Sequence, residues 1–465
     1  MLVAVLSTLR DRPVASSNRI ADTAFILSSS PPVPLDNGKR VMINSILEHL
    51  VDRLGEDRVH YAVVTGTSDA LPPFPGVIHR LERPPALRQI GGLAHCVRDR
   101  SYTIQEAMLG GRRLREQVAA LVAEIRPSLE VYDTLRMAQH APARSPAGRR
   151  VLYMDDLFSI RYARMLDVAR RGDLHMDPLG GFATNVPARL RPLARRPGVY
   201  RPLLRFEGAR IKAREEAIVN DFDVSLLVNP REVDQLRVRT GVDSVHVLPP
   251  LLPEMRPGGR SPVAPAQFVF LGKLDIPHND DAICHFLQKL GPVLSALEPA
   301  IRIRVIGKNP SPSLRALATR HPGLVRLEGF VEDLSDVLGS TTALLAPLRF
   351  GSGLKIKVLE ALARGVPVLA TSIAAEGLPA SEASASGLYV EDDLTAWPAL
   401  MASLSPERSH AMAGPARAYF LRSYGRDVVA RRYDAMLGLA APAPAPALPA
   451  PRSDIEDLER RPHPV

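Results

Sequence analysis

The sequence is poor in cysteine, lysine and aromatic residues, and each shortage removes a class of function. Two cysteines, Cys96 and Cys284, stand in 465 residues. They form neither a disulfide framework nor a metal set, and both are expected to be inert thiols in a reducing compartment. The histidines show no metal-ligand spacing and no Asp-x-Asp segment stands out as a metal site, so neither a metal nor a cofactor is expected. An aromatic content of 5% leaves few platforms on which bases could stack, which argues against a nucleic-acid partner. No apolar run approaches the roughly 20 residues of a membrane span. Residues 1–9 are apolar, but the charges Arg10, Asp11 and Arg12 follow that run instead of preceding it, which makes a poor secretory signal. A cytoplasmic chain is expected.

What is present is ordinary for a globular protein: 46% hydrophobic and 23% charged residues, in a length that suits two domains or more. The net charge of +9 favours anionic partners. Almost all of it is arginine. Lysine occurs only as Lys39, Lys212, Lys273, Lys289, Lys308, Lys355 and Lys357, and five of these fall in glycine-containing turns or at a helix start. There a compact ammonium suits a phosphate.

Periodicity predicts the following organisation. Residues 1–21 form a loose arm, and 22–250 a first domain with strands over 23–27, 60–64, 77–81, 129–132, 151–154, 223–229 and 245–248. Its long helices are expected over 41–54, 104–124 and 157–169. A proline-rich linker over 251–266 leads to a second domain over 267–422, in which strands and helices alternate cleanly, the pattern of a doubly wound parallel sheet. A helix over 423–439 is expected to pack back on the first domain, and 440–465 is an Ala/Pro tail expected to be disordered. Because carboxyl ends of parallel strands face the ligand crevice, Arg136, Asp155 and Asp156 are placed near a cleft; helix capping is an equal reading of the acid pair. Arginines crowd 187–214 with interleaved Leu203, Leu204 and Phe206. Docking on an anionic membrane surface and a solvated arginine face account for that stretch equally well.

The tightest stretch is 349–361: the end of a buried strand, a glycine-rich turn at Gly351-Ser352-Gly353, and a helix expected to start near Leu354. Such a turn lets backbone N–H groups approach an anion, and the helix start adds unpaired donors. Lys355 brings charge to the same point. Glu360 lies about 40° from Ile356 on a helical wheel, on the stripe that should be apolar. It is either half of an intrahelical ion pair with Lys357 or Arg364 or a carboxylate that accepts from two vicinal hydroxyls. Gly272, Gly307 and Gly329 end other strands, and their turns are expected to open on the same edge.

The segments "FVFLGKLDIPHNDDAICHF", "RIRVIGKNP", "LEGFVEDLSDVL" and "ALLAPLRFGSGLKIKVLEALARGVPVLATSIAAEGLP", in that order over 268–379, resemble the donor domain of glycosyltransferase family 4 (glycosyl transferases group 1). "PPVPLDNGKR", "VLYMDDLFSIRY" and "EEAIVNDFDVSLLVN" are similar to the acceptor domain of its bacterial polysaccharide-type subset. The resemblance implies the α/β GT-B architecture, two Rossmann-like doubly wound parallel-sheet domains facing across a cleft. It also implies transfer of a sugar, with retention, from a nucleotide-diphosphate sugar to a glycan or lipid-linked acceptor in polysaccharide biosynthesis, without a metal. By position, Glu360 would hold the donor ribose and Lys273 the diphosphate. Gly351, Ser352, Gly353, Leu354 and Lys355 would line the sugar-diphosphate, with Gly272 at the neighbouring turn. Phe330 and Val331 would contact the base, and Gly38 would close toward the phosphates. The chain departs from the family at Ser352, where the first acid of a Glu–seven residues–Glu pattern would stand. It departs again at 277–279, where Pro277, His278 and Asn279 replace a second basic residue, with His278 as a weak substitute. Peripheral attachment to the inner face of the cell membrane goes with the 187–214 stretch. The alternatives are a sugar-nucleotide epimerase of the same architecture, with Asp155 and Asp156 as its acid and base, and a catalytically weak sugar-nucleotide-binding assembly protein.

Overall fold

A computed structural model describes residues 21–35, 38–66, 71, 73–84, 102–143, 148–170, 196–252, 259–351, 353–378 and 386–439. Most of the expected arm, Cys96, the arginines at 189–195, the linker at 253–258, Ser352 and the tail from 440 lie outside the described residues.

Two parallel sheets organise the chain. The first takes β1 (Ala24–Ser28), β2 (Val59–Thr65), β3 (Val77–Glu82), β4 (Leu129–Asp133), β5 (Arg149–Asp155), β6 (Val224–Leu227) and β7 (Val245–Val247) in the order β3-β2-β1-β4-β5-β6-β7. The second takes β8 (Gln267–Leu271), β9 (Arg302–Ile306), β10 (Val325–Gly329), β11 (Ala343–Ala346), β12 (Val368–Ala370) and β13 (Leu388–Val390) in the order β10-β9-β8-β11-β12-β13. Residues Ala24–Ser28 and Ala343–Ala346 are buried throughout, as central parallel strands covered on both faces must be. Each sheet reverses its order once. Ala24 is in register with both Val59 and Leu129, which puts the first reversal between β1 and β4. Val269 pairs with both Arg304 and Leu344, which puts the second between β8 and β11. A doubly wound sheet opens its ligand crevice at such a point. The loop after β11 is the glycine-rich turn.

The helix expected over 104–124 is two helices, Ile104–Leu109 and Arg112–Ile125. Gly110 and Gly111 stand at the break, where a glycine costs a helix about 1 kcal/mol. The first helix is fixed by its own capping box, Thr103 with Glu106, and by Glu207, whose carboxylate accepts from the backbone of Ile104 and Gln105 at 2.9 and 3.3 Å. After β13 the second domain closes with three short helices, Trp397–Ser403, Pro406–Ala411 and Ala413–Tyr424. Helix Pro197–Ile218 carries the described part of the arginine-rich stretch. Two of its arginines are tied inward: Arg210 donates to Tyr102 O at 3.0 Å, and Arg214 pairs with Glu106 at 2.8 Å.

One apolar core joins the domains. It runs from helix Gly38–Leu54 and β1 through Leu251 and Leu252 into the second sheet. Leu251 and Leu252, at the start of the expected proline-rich linker, are buried in this core. The last helix, Arg426–Leu437, lies against helix Gly38–Leu54. Asp434 accepts there from His49 and Arg53 at 2.9 Å each, and Tyr433 donates to Pro249 O at 3.1 Å. Among the described residues no helix is long and apolar enough to cross a membrane.

Candidate functional site

The carboxyl-end loops of β8, β9 and β10 interlock. Gly272 N donates to Ile306 O at 3.1 Å, Leu274 N to Lys308 O at 2.9 Å and Gly307 N to Gly329 O at 2.7 Å. A Cβ on Gly307 would stand 1.8 Å from Gly272 O, so only a glycine lets the two backbones meet. The turn after β11 joins this rim through helix Pro277–Ser295. Lys357 donates to Leu271 O at 2.8 Å and to Asn279 Oδ1 at 2.9 Å, and His278 lies beside Gly351. The expected loops thus open on one edge.

The first domain grips the glycine turn on both sides of residue 352. Arg164, on helix Phe158–Arg170, donates to Gly351 O at 2.6 Å and makes a bidentate pair with Glu376 at 2.5 and 2.7 Å. Glu232 is fully buried and accepts from Gly353 N and from Leu157 N, each at 2.7 Å. Gly353 sits at φ 71°, and a Cβ there would stand 3.2 Å from that of Asp156. Gly38 faces the other side of the turn, where a Cβ would come within 3.3 Å of Ile356 Cδ1. The loops of both sheet reversals therefore meet across the cleft.

Charge concentrates at this meeting. Lys355 is buried and donates to Gly353 O at 2.5 Å. Burial pulls its pKa down to about 8 against the pull of Glu232, Glu376 and Asp156. Burial, with repulsion from Lys355, pulls Lys357 down to about 7. Burial and the neighbouring cations Arg161, Lys355 and Lys357 hold His278 well below its usual value. It is a neutral imidazole and does not supply the missing second cation. Arg161 of the first domain, paired with Asp156, brings a cation to that place. Glu232 rises to about 8 through burial and Asp156.

Glu360 is half-buried on helix Ile356–Ala363, which starts two residues later than expected and has no side-chain cap. Burial raises its pKa, opposed by Arg364. The ion pair with Lys357 does not form, because that ammonium is committed to Leu271 O and Asn279. The Glu360 carboxylate accepts no hydrogen bond among the described residues. Lys273 does not share these contacts; its ammonium is part-exposed, 3.8 Å from Asp275. Phe330 is 52% exposed with Lys308 Nζ 4.1 Å over its ring, and Val331 packs on the core beside it.

The sequence reading missed Arg161, Arg164, Glu232 and Glu376. Glu376 stands inside a quoted segment, and Glu232 follows an Asn229-Pro230 helix start. It also passed over Asp221-Phe222-Asp223, which has Asp-x-Asp spacing. That segment leads into the amino end of β6, away from the cleft rim, where Asp223 accepts from Arg150 N at 2.8 Å. Among the described residues no group of three or more His, Cys, Asp or Glu could hold a metal ion.

Residues 265–405 match the family model for glycosyl transferases group 1. The second domain is a glycosyl transferases group 1 domain. By this domain the chain is a glycosyltransferase. No curated protein matches the chain. Sucrose-phosphate synthase from Thermosynechococcus elongatus is 13% identical, with a TM-score of 0.60 over 89% of this chain and 98% of that one. WaaG, a glycosyltransferase involved in lipopolysaccharide biosynthesis, is 16% identical, with a TM-score of 0.55 over 89% and 100%. HepE from Anabaena, solved in complex with UDP and glucose, is 11% identical, with a TM-score of 0.55 over 91% and 100%. At these identities the likeness is one of fold, GT-B, and it extends through both domains of this glycosyltransferase.

Proposed function

We propose that the chain transfers a sugar, with retention, from a nucleotide-diphosphate donor to a glycan or lipid-linked acceptor in polysaccharide biosynthesis. The observation that carries this reading is the glycine turn held between the two sheet reversals, with Lys355, Lys357 and Arg161 around it and Glu360 one helical turn beyond Ile356. The diphosphate gains charge as the glycosidic bond breaks. Fixed cations and backbone donors stabilise that charge more in the transition state than in the ground state. Lys355, the turn amides and the uncapped helix start would hold the diphosphate, Glu360 the ribose hydroxyls, and Phe330 with Val331 the base. Lys273 would reach the diphosphate from its neighbouring turn. With these cations in place the reaction needs no divalent metal. That HepE was solved with UDP and glucose supports a nucleotide-sugar donor.

For the location of the reaction we favour an anionic membrane surface. Val199, Leu203 and Phe206 recur at helical spacing on Pro197–Ile218 and are 40%, 44% and 41% exposed. Such a stripe among arginines fits a headgroup layer. The test is a panel of nucleotide sugars with a bacterial lipid and glycan extract, with and without EDTA, followed by sedimentation with vesicles. One donor should be consumed with transfer, insensitively to EDTA, and anionic vesicles should carry down more protein than neutral ones. Donor consumption without an acceptor would favour an epimerase, and equal sedimentation would reject the membrane reading.

A further inference from the structure

The far edge of the first sheet carries a histidine pair that the transferase reading does not use. His60 stands near the amino end of β2, and His79 lies within β3, which ends the sheet order. The two strands run parallel with His60 in register with Val77. His79 is two residues farther along, so both side chains leave the same face of the sheet. Their rings stack with centroids 5.3 Å apart and planes at 24°, and His60 Nδ1 stands 3.0 Å from His79 Nε2. Both residues are half-buried, and neither ring has another hydrogen bond among the described residues.

That separation also suits two neighbouring ligands of one metal ion. Imidazole nitrogens bind Zn²⁺ at about 2.0–2.1 Å, and two such bonds at a right angle put the nitrogens about 3 Å apart. In the hydrogen-bonded pair one ring keeps its proton in the gap. That ring can carry the proton on its other nitrogen instead, which leaves two lone pairs facing the gap with no proton lost. Burial holds both rings below the usual imidazole pKa, with His60 adding to the effect on His79 and Glu124 opposing it in each. Both are therefore neutral at pH 7, the state in which histidine ligates. Glu124 is exposed in the last turn of helix Arg112–Ile125 and makes no ion pair among the described residues. Its charge favours a cation at the pair. As they stand the three residues do not make a ligand group, so water would complete the coordination, an N,O set of the kind that Cu²⁺ and Ni²⁺ accept.

We propose that His60 and His79 form a two-histidine site for a late first-row divalent cation, Cu²⁺, Ni²⁺ or Zn²⁺, which clips the edge strand β3 to β2. The site is separate from the transferase chemistry. β3 lies two strands from β1, where the sheet order reverses, and His60 is at the amino end of its strand, away from the cleft rim. Sugar transfer therefore stays insensitive to EDTA.

Calorimetric titration of the untagged full chain with CuCl₂, NiCl₂ and ZnCl₂ tests the site. The wild type should bind at least one of these ions one-to-one with a Kd of about 100 μM or tighter. His60→Gln and His79→Gln should each weaken that binding at least tenfold, and both keep the bulk of a part-exposed side chain, so equal Tm values without metal serve as the folding control. Electron paramagnetic resonance of bound Cu²⁺ should show two nitrogen ligands in the wild type, and amide exchange across β3 should slow when the ion is bound. Weaker binding of all three ions, binding that survives both substitutions, or exchange at β3 that ignores the ion would each overturn the proposal. Neither nucleotide nor acceptor enters these measurements, so they decide the site whatever becomes of the donor reading.

Discussion

Arg164→Ala is expected to lower stability by about 2–3 kcal/mol and to reduce kcat/KM for the donor by at least about tenfold. The stability loss comes from Glu376, a buried carboxylate that would lose its bidentate partner. The loss lies at or below the bottom of the range of about 3–5 kcal/mol for a broken, fully buried pair, because the arginine side is a quarter exposed. The kinetic loss has a different origin. Arg164 also holds Gly351 O, so its removal frees one side of the donor turn while Glu232 still holds Gly353 N on the other. Arg164→Met combined with Glu376→Gln removes the charge imbalance. It should recover most of the stability and little of the kcat/KM. Urea melts and donor kinetics on the wild type and both variants check this. A double variant that regained full activity would show that the clamp serves only the fold.

Binding of a nucleoside diphosphate at pH 8 is expected to take up on the order of one proton. Lys355, near 8, is then about half charged, and Lys357, near 7, mostly neutral. A diphosphate beside them favours the charged form of each. Affinity should therefore fall as pH rises through this range, by up to about tenfold per pH unit. Without ligand the sign of the pH effect on stability is opposite. Both folded-state values lie below the ordinary lysine value of 10.5, so the unfolded chain binds more protons. Stability then increases from about pH 7 toward that value and is lost as pH falls through about 7–8. Titrations in buffers of different ionisation enthalpy read the uptake directly. Heats independent of buffer would mean that these lysines do not contact the phosphates.

Much of the second domain is legible in the sequence because its strands are short apolar runs closed by glycine turns, and each turn has to face the crevice. The division at Gly110-Gly111 is less so: the apolar period of 104–124 continues across the break, and the local caps that stop the first helix override it. The donor turn is legible for the same reason as the strands. The clamp is not. Arg164 and Glu376 lie 212 positions apart, and Glu232 and Gly353 121 apart, so their chemistry exists only once the domains face each other. His278 shows the converse. Its position suggests a cation, but burial, with Arg161, Lys355 and Lys357 beside it, holds its pKa well below the usual value.

The measurement closest to the central claim is the affinity of a matched nucleoside diphosphate, such as the base selected by the donor panel, for wild type and Glu360→Gln. The carboxylate is half-buried and without a hydrogen-bond partner among the described residues, and the amide keeps its shape while weakening a charge-assisted bond to vicinal hydroxyls. The account predicts a loss of about tenfold, reproduced in size when the wild type is offered the 2′-deoxy nucleotide. Equal affinity of the two proteins for the ribonucleotide would contradict it.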